Sequence, residues 1–101
     1  MIYHITSIAN WEKAKSLGYY EGETLASEGF LHASYEHQLK GVRERYYKHK
    51  KNLILLHIQE DKVDAEIKNE ESPTLNERFP HIYGRLNLSA VINTTILEAD
   101  D

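Results

Sequence analysis

The stretch Leu53-Ile54-Leu55-Leu56-His57-Ile58 decides the fold. Five of its six residues are aliphatic and Leu53 to Leu56 run unbroken, the pattern of a strand covered on both faces. A strand of that kind needs neighbours and a layer on each side, so the rest of the chain must supply both. Downstream, the charged stretch Gln59 to Asp64 turns, and Ala65 to Asn69 alternates Ala65 and Ile67 with Glu66 and Lys68, which predicts a second strand. Glu70 to Arg78, polar and carrying Pro73, reads as an exposed loop. His81 to Tyr83, Ala90 to Asn93 and Thr94 to Glu98 read as three short β pieces, and Asp100 and Asp101 as a fraying end. Upstream, Ile2 to Thr6 and Phe30 to Ala33 are strands. Between them Asn10 is placed to cap a short helix bearing Trp11, Ala14 and Leu17, with Gly18 ending it. Tyr19 to Gly29 reads as a loop. Ser34 is placed to cap a second helix, whose stripe is Tyr35, Leu39, Val42 and Tyr46. Two early helices and mostly later strands make the class α+β.

The whole chain has 101 residues, the size of one small domain. Twelve Lys and Arg against sixteen Asp and Glu give a net charge of −4, which argues against a nucleic-acid partner. With no cysteine, disulfides, thiol nucleophiles and thiolate zinc sites are excluded. No apolar run is long enough for a membrane span or a signal peptide, and the expected setting is the cytoplasm. Lys40, Arg43, Arg45, Lys48, Lys50 and Lys51 hold half of the twelve cations. They read as the solvated outer face of the second helix, complementing its dipole.

Six histidines and seven tyrosines are many for this length. Three segments set a histidine in a strand beside a hydroxyl or glycine. In Tyr3-His4-Ile5-Thr6, His4 and Thr6 share a strand face. In Gly29-Phe30-Leu31-His32-Ala33-Ser34, Phe30, His32 and Ser34 share one. In Phe79-Pro80-His81-Ile82-Tyr83-Gly84, His81 and Tyr83 do. Imidazole and hydroxyl at neighbouring points suit a sugar diol or a phosphate. Leaving several imidazoles buried without partners would cost about 1–3 kcal/mol each. Three readings compete: a pocket for a nucleotide-like ligand, a metal site of His4, His32 and His81, and a hydrolytic triad using Ser34. Metal-ligand spacings such as His-x-x-x-His and a Gly-x-Ser-x-Gly elbow are both missing, which favours the pocket and no metal.

At the same residues the chain resembles a mostly bacterial family, domain of unknown function 952. The likeness runs from Ile2-Tyr3-His4-Ile5-Thr6 and Trp11 through Gly18, Tyr20, Leu25, Glu28 to Ser34, and Gln38. It closes on Phe79 to Gly84 and Ala90-Val91. It implies a compact split β-sheet of the ADP-ribosyltransferase-like type, with a nicotinamide dinucleotide cleft between the halves. On that likeness NAD is the expected cofactor, His4 with Thr6 would meet the adenine-side ribose, and Tyr20 or Tyr83 would stack on nicotinamide. Glu70 and His81 become the catalytic candidates, while His32 and Ser34 join the ligand-binding set. The chain departs from that fold's pattern in lacking a Ser-Thr-Ser block and a Gln/Glu-x-Glu setting. Two further readings follow: a sensor that binds without turnover, and a histidine-ligated metal-dependent hydrolase.

Overall fold

The computed structural model describes residues 1–72 and 75–98. Pro73, Asp100 and Asp101, expected in a loop and at a fraying end, lie outside the described residues. The observed class is α+β, built of short helices and antiparallel strands. The decisive stretch is β4 (Leu53–Ile58), and it is the middle strand of a three-stranded sheet. On one side it pairs antiparallel with β1 (Ile2–Ser7), Ile2 opposite Ile58 and Ser7 opposite Leu53. On the other it pairs antiparallel with β8 (Val91–Leu97), Leu53 opposite Leu97, with a bulge where Ile58 meets Val91.

Both faces of β4 are covered, as its composition demands. Ile54, Leu56 and Ile58 join Ile2, Trp11 and Ala14 in the core; Ile2, Leu56 and Ile58 have no exposed surface. Trp11 and Ala14 come from α1 (Ile8–Leu17), which lies on this face. On the opposite face Leu39 and Arg43 of α3 (Leu39–Tyr46) line a shallow groove with Ile5, Leu55 and Leu97.

A second three-stranded sheet orders β3 (Leu31–His32), β6 (Arg78–Tyr83) and β5 (Glu66–Glu71), with β6 in the middle. Pro80 sits inside this central strand, fully buried, and its carbonyl accepts from Ala33 N at 3.0 Å. The two sheets are stitched where Tyr3 and Ser34 exchange both backbone hydrogen bonds, each 2.8 Å. A third pairing, β2 (Tyr19–Tyr20) with β7 (Leu86–Asn87), closes the core beneath Trp11 and Leu86.

Several boundaries differ from the sequence reading, each for a local reason. Asn10 is not the cap of α1. Strand β1 runs straight into the helix, so the Ser7 hydroxyl accepts from Asn10 N at 3.0 Å and takes that role three residues earlier. Gly18 does end α1, with φ at +89°. The segment expected as loop from Tyr19 to Gly29 contains β2 and a five-residue helix, α2 (Thr24–Glu28). Ser34 caps nothing: its backbone is committed to the bridge with Tyr3. The turn before α3 is held instead by Gln38, whose Oε1 accepts from Tyr35 N at 2.9 Å. The helix ends at Tyr46, so Lys48, Lys50 and Lys51 leave its face and enter the following loop. His49 and Asn52 take φ of +66° and +59° there, which turns the loop back toward Ile8, whose N–H donates to Asn52 O. Ala90 to Asn93 and Thr94 to Glu98 are not separate pieces; one edge strand runs from Val91 to Leu97.

Candidate functional site

Period-two alternation in β1 puts His4 and Thr6 on the core side with Ile2, and the structure then closes a chain of polar groups around them. His4 Nδ1 lies 2.5 Å from the carbonyl oxygen of His32, and Nε2 lies 2.7 Å from Tyr20 Oη. Tyr20 Oη is 2.9 Å from Thr6 Oγ1, which accepts from Asn10 Nδ2 at 3.3 Å. Burial pushes the His4 imidazole down to about 4, although its bond to the His32 carbonyl favours the charged form. At neutral pH the ring therefore carries one N–H. A carbonyl only accepts, so that proton sits on Nδ1 and Nε2 offers a lone pair. The Tyr20 proton goes to Nε2, and the Thr6 hydroxyl gives its own to Tyr20. Tyr20 is 3% exposed; burial raises its phenol to about 12, which keeps the donor in place. Gly22 makes this packing possible. It has φ of +66°, and a Cβ there would meet Leu31 Cδ2 at 2.9 Å and Tyr20 Oη at 3.1 Å.

Across the seam the other two histidines are arranged differently. Pairing of β3 with β6 sets His32 directly opposite His81, with ring centroids 5.3 Å apart and the rings edge to face. His32 Nε2 contacts Glu28 Oε2 at 2.9 Å, from the end of α2. His81 Nδ1 contacts Glu70 Oε1 at 2.9 Å, and the same carboxylate oxygen accepts from the Tyr83 hydroxyl. These bonds, Tyr83 first and His81 second, hold the Glu70 carboxyl below the usual carboxylate range, and Glu70 in turn raises the Tyr83 phenol. Phe30 stacks on His81 with centroids 4.1 Å apart and planes 17° off parallel. Each imidazole keeps one nitrogen, His32 Nδ1 and His81 Nε2, without a partner among the described residues. The Ser34 hydroxyl, also unpartnered among them, lies on the same strand face as His32.

A cleft of about 930 Å³ runs along the seam, and both sets of residues line it. His4, Thr6, Tyr20, His32, Ser34 and His81 all border it, so the segments carrying the three histidines do meet. Glu70 and Tyr83 are not among its lining residues; they stand behind His81. Lys50 and Lys51 line it too, because α3 stops at Tyr46, and Tyr46 and Tyr47 stand with them. Sequence reading left Glu28, Asn10 and the two lysines without a role here. Glu28 is four residues from His32, but Gly29 ends α2 between them, so helical spacing gives no signal for the pair. Among the described residues no group of three or more His, Asp or Glu side chains converges as a metal cage would require. His4, His32 and His81 therefore share a cleft but not a coordination point. Among those residues no helix is long and apolar enough to cross a membrane.

Fold and cleft together define a small α+β domain in which histidines from two separate sheets border one crevice. The chain belongs to the family described as protein of unknown function (DUF952), whose model matches residues 5–94. It is similar to the crystal structure of protein CC0527 from Caulobacter crescentus, with 33% identity, a TM-score of 0.89, and coverage of 98% of this chain and 87% of that one. The solution NMR structure of CC0527 matches at the same identity with a TM-score of 0.84, covering 98% of this chain and 85% of that one. No curated protein matches the chain.

Proposed function

We propose that the seam cleft binds a nucleotide-like ligand and that the protein works in the cytoplasm. One observation carries the reading: His32 Nδ1, His81 Nε2 and the Ser34 hydroxyl have no protein partners among the described residues, and all three residues border one cleft. Three open polar groups on residues of one crevice suit the hydroxyls of a ribose. Lys50 and Lys51 supply positive charge for a phosphate, and the Phe30 and Tyr46 rings supply flat apolar surface for a base. The volume is at the upper end of small-molecule sites, about 300–1,000 Å³, and a dinucleotide such as NAD fits that class.

The same reading extends to the ADP-ribosyltransferase-like type. A sheet split into two halves with a ligand cleft at their junction supports that likeness. Within it, His4, Thr6 and Tyr20 build the wall, since their polar groups serve one another. Glu70 acts on the ligand through His81, holding its ring.

A thermal-shift series with AMP, ADP-ribose and NAD tests the reading. A ligand at about a hundred times its dissociation constant stabilises by about 2.7 kcal/mol, a rise of several degrees for a domain of this size. Ser34→Ala and the paired change Lys50→Ala with Lys51→Ala should each weaken that shift. A flat response to all three nucleotides at millimolar concentration would sink the reading.

A further inference from the structure

We propose that His32 and His81 form a general acid–base pair that hydrolyses ribonucleoside 2′,3′-cyclic phosphates. The inference rests on the nucleotide reading above and adds a reaction to it. Three features of the cleft lead there. First, β3–β6 register holds the two imidazoles side by side, 5.3 Å between centroids, with one open nitrogen each. Second, each ring has a carboxylate on its other nitrogen, Glu28 on His32 and Glu70 on His81, both at 2.9 Å. A carboxylate in that position fixes ring orientation and tautomer, and stabilises the imidazolium that forms when the open nitrogen takes a proton. Third, among the described residues no hydroxyl bordering the cleft is hydrogen-bonded to either of these imidazoles. The chain has no cysteine, and neither imidazole is within hydrogen-bond reach of the Ser34 hydroxyl.

An acid and a base without a nucleophile describe catalysis of attack by water. The scissile bond must then be one whose leaving oxygen needs a proton and whose centre is already reactive. A five-membered cyclic phosphodiester meets both conditions. Its single negative charge suits Lys50 and Lys51 in the same cleft, and its small size suits a protein of net charge −4 better than a polyanion does. His81, with only 12% of its side chain exposed and Phe30 stacked on it, is the base. As the water oxygen bonds to phosphorus, a water proton passes to His81 Nε2. The bond from phosphorus to the ribose 2′-oxygen breaks, and that oxygen takes the proton from His32 Nδ1. The product is the nucleoside 3′-monophosphate. His32, half-exposed, regains its proton from solvent and His81 loses its own, so no metal, oxidant or further reactant enters the balance.

The test uses the full chain with adenosine 2′,3′-cyclic phosphate and a chelator present, following the monophosphate by chromatography. The expected result is chelator-resistant turnover with a bell-shaped pH profile. His81→Ala and His32→Gln should each lower kcat about a hundredfold or more, within the usual range for a lost acid or base. Glu70→Gln, a positioning change, should lower kcat with KM unchanged and move the limb of the pH profile that reports the base. His37→Ala, outside the cleft, should leave the rate unchanged. Far-UV circular dichroism and melting of each variant establish that it is folded. Turnover that survives in both histidine variants, or that requires a divalent ion, would overturn the proposal. A melting shift with the cyclic nucleotide but no product would overturn the reaction and leave the binding reading standing. No shift with any nucleotide would overturn the binding reading itself.

Discussion

Two histidine clusters face the same cleft and have opposite chemical characters. Around His4 every polar group has a protein partner: the ring reaches the His32 carbonyl and Tyr20, Tyr20 reaches Thr6, and Thr6 reaches Asn10. Around His32 and His81 each ring is held by a carboxylate on one side and has no partner among the described residues on the other. The first cluster is the more deeply buried, with Thr6 and Tyr20 almost fully covered, and its imidazole is neutral at pH 7; in the second, His32 is exposed and His81 and Glu70 are half-buried. A histidine in a strand is therefore informative only once both of its nitrogens are traced. The first cluster should govern stability and the second ligand chemistry, and experiment can separate them.

The largest expected effect on stability is His4→Ala. It removes the acceptor for Tyr20 and the donor to His32 and leaves a void, together about 2–4 kcal/mol. His32→Ala should cost well under 1 kcal/mol, because a half-exposed contact with a carboxylate contributes little. Urea melts of the two variants compare the clusters directly, and equal losses would erase the contrast. Close behind comes pH. In the folded protein His4 titrates near 4, against 6.5 when exposed, so the unfolded chain binds more protons between those values. Stability contributed by neutral His4 is complete above about pH 6.5 and is lost as pH falls toward 4, on the order of 3 kcal/mol. In the His4→Ala protein that part of the acid slope should vanish, which denaturation at a series of pH values would show.

Tyr20→Phe keeps the ring and removes one hydroxyl, leaving His4 Nε2 and Thr6 each short of a partner. A loss of about 1–2 kcal/mol is expected by calorimetry, with no change in which nucleotides bind. The smallest effect on stability belongs to Glu70→Gln, whose carboxylate is partly exposed. Neutral-pH melting should barely move. Since the folded Glu70 is held below its usual range, its contribution is present above that range and fades as pH falls through the folded value. Nitrogen NMR of the His81 ring should nevertheless report a change of tautomer balance. An unchanged spectrum would remove Glu70 from any role in orienting His81.

Strand parity was the most legible part of the sequence. It gave the face shared by His4 and Thr6, the one shared by Phe30, His32 and Ser34, and the one from which His81 and Tyr83 both reach Glu70. The apolar run of β4 announced a strand covered on both faces, and the structure sets it in the middle of its sheet. What stayed hidden depends on tertiary contact. Tyr20 lies sixteen residues from His4, and nothing local says that its hydroxyl closes onto that ring. Ser34 and Asn10 carry capping side chains, but backbone pairing took the first and an uninterrupted strand-to-helix junction displaced the second. Asn93-Thr94-Thr95 looks like a break, yet β8 is an exposed edge strand and polar residues there forfeit no burial. The reach of Lys50 and Lys51 into the cleft depended on where α3 stopped, and helix ends are poorly marked when the next residues are also polar.

The stitch between Tyr3 and Ser34 is only one residue pair long. Mechanically it is a hinge pin. Any widening of the crevice must either pivot on those two amides or pull them apart, and the His4 clamp onto the His32 carbonyl sits immediately beside them. Deuterium uptake at Tyr3 and Ser34 would thus gauge how far the halves breathe, and a molecule lodged between them should slow it.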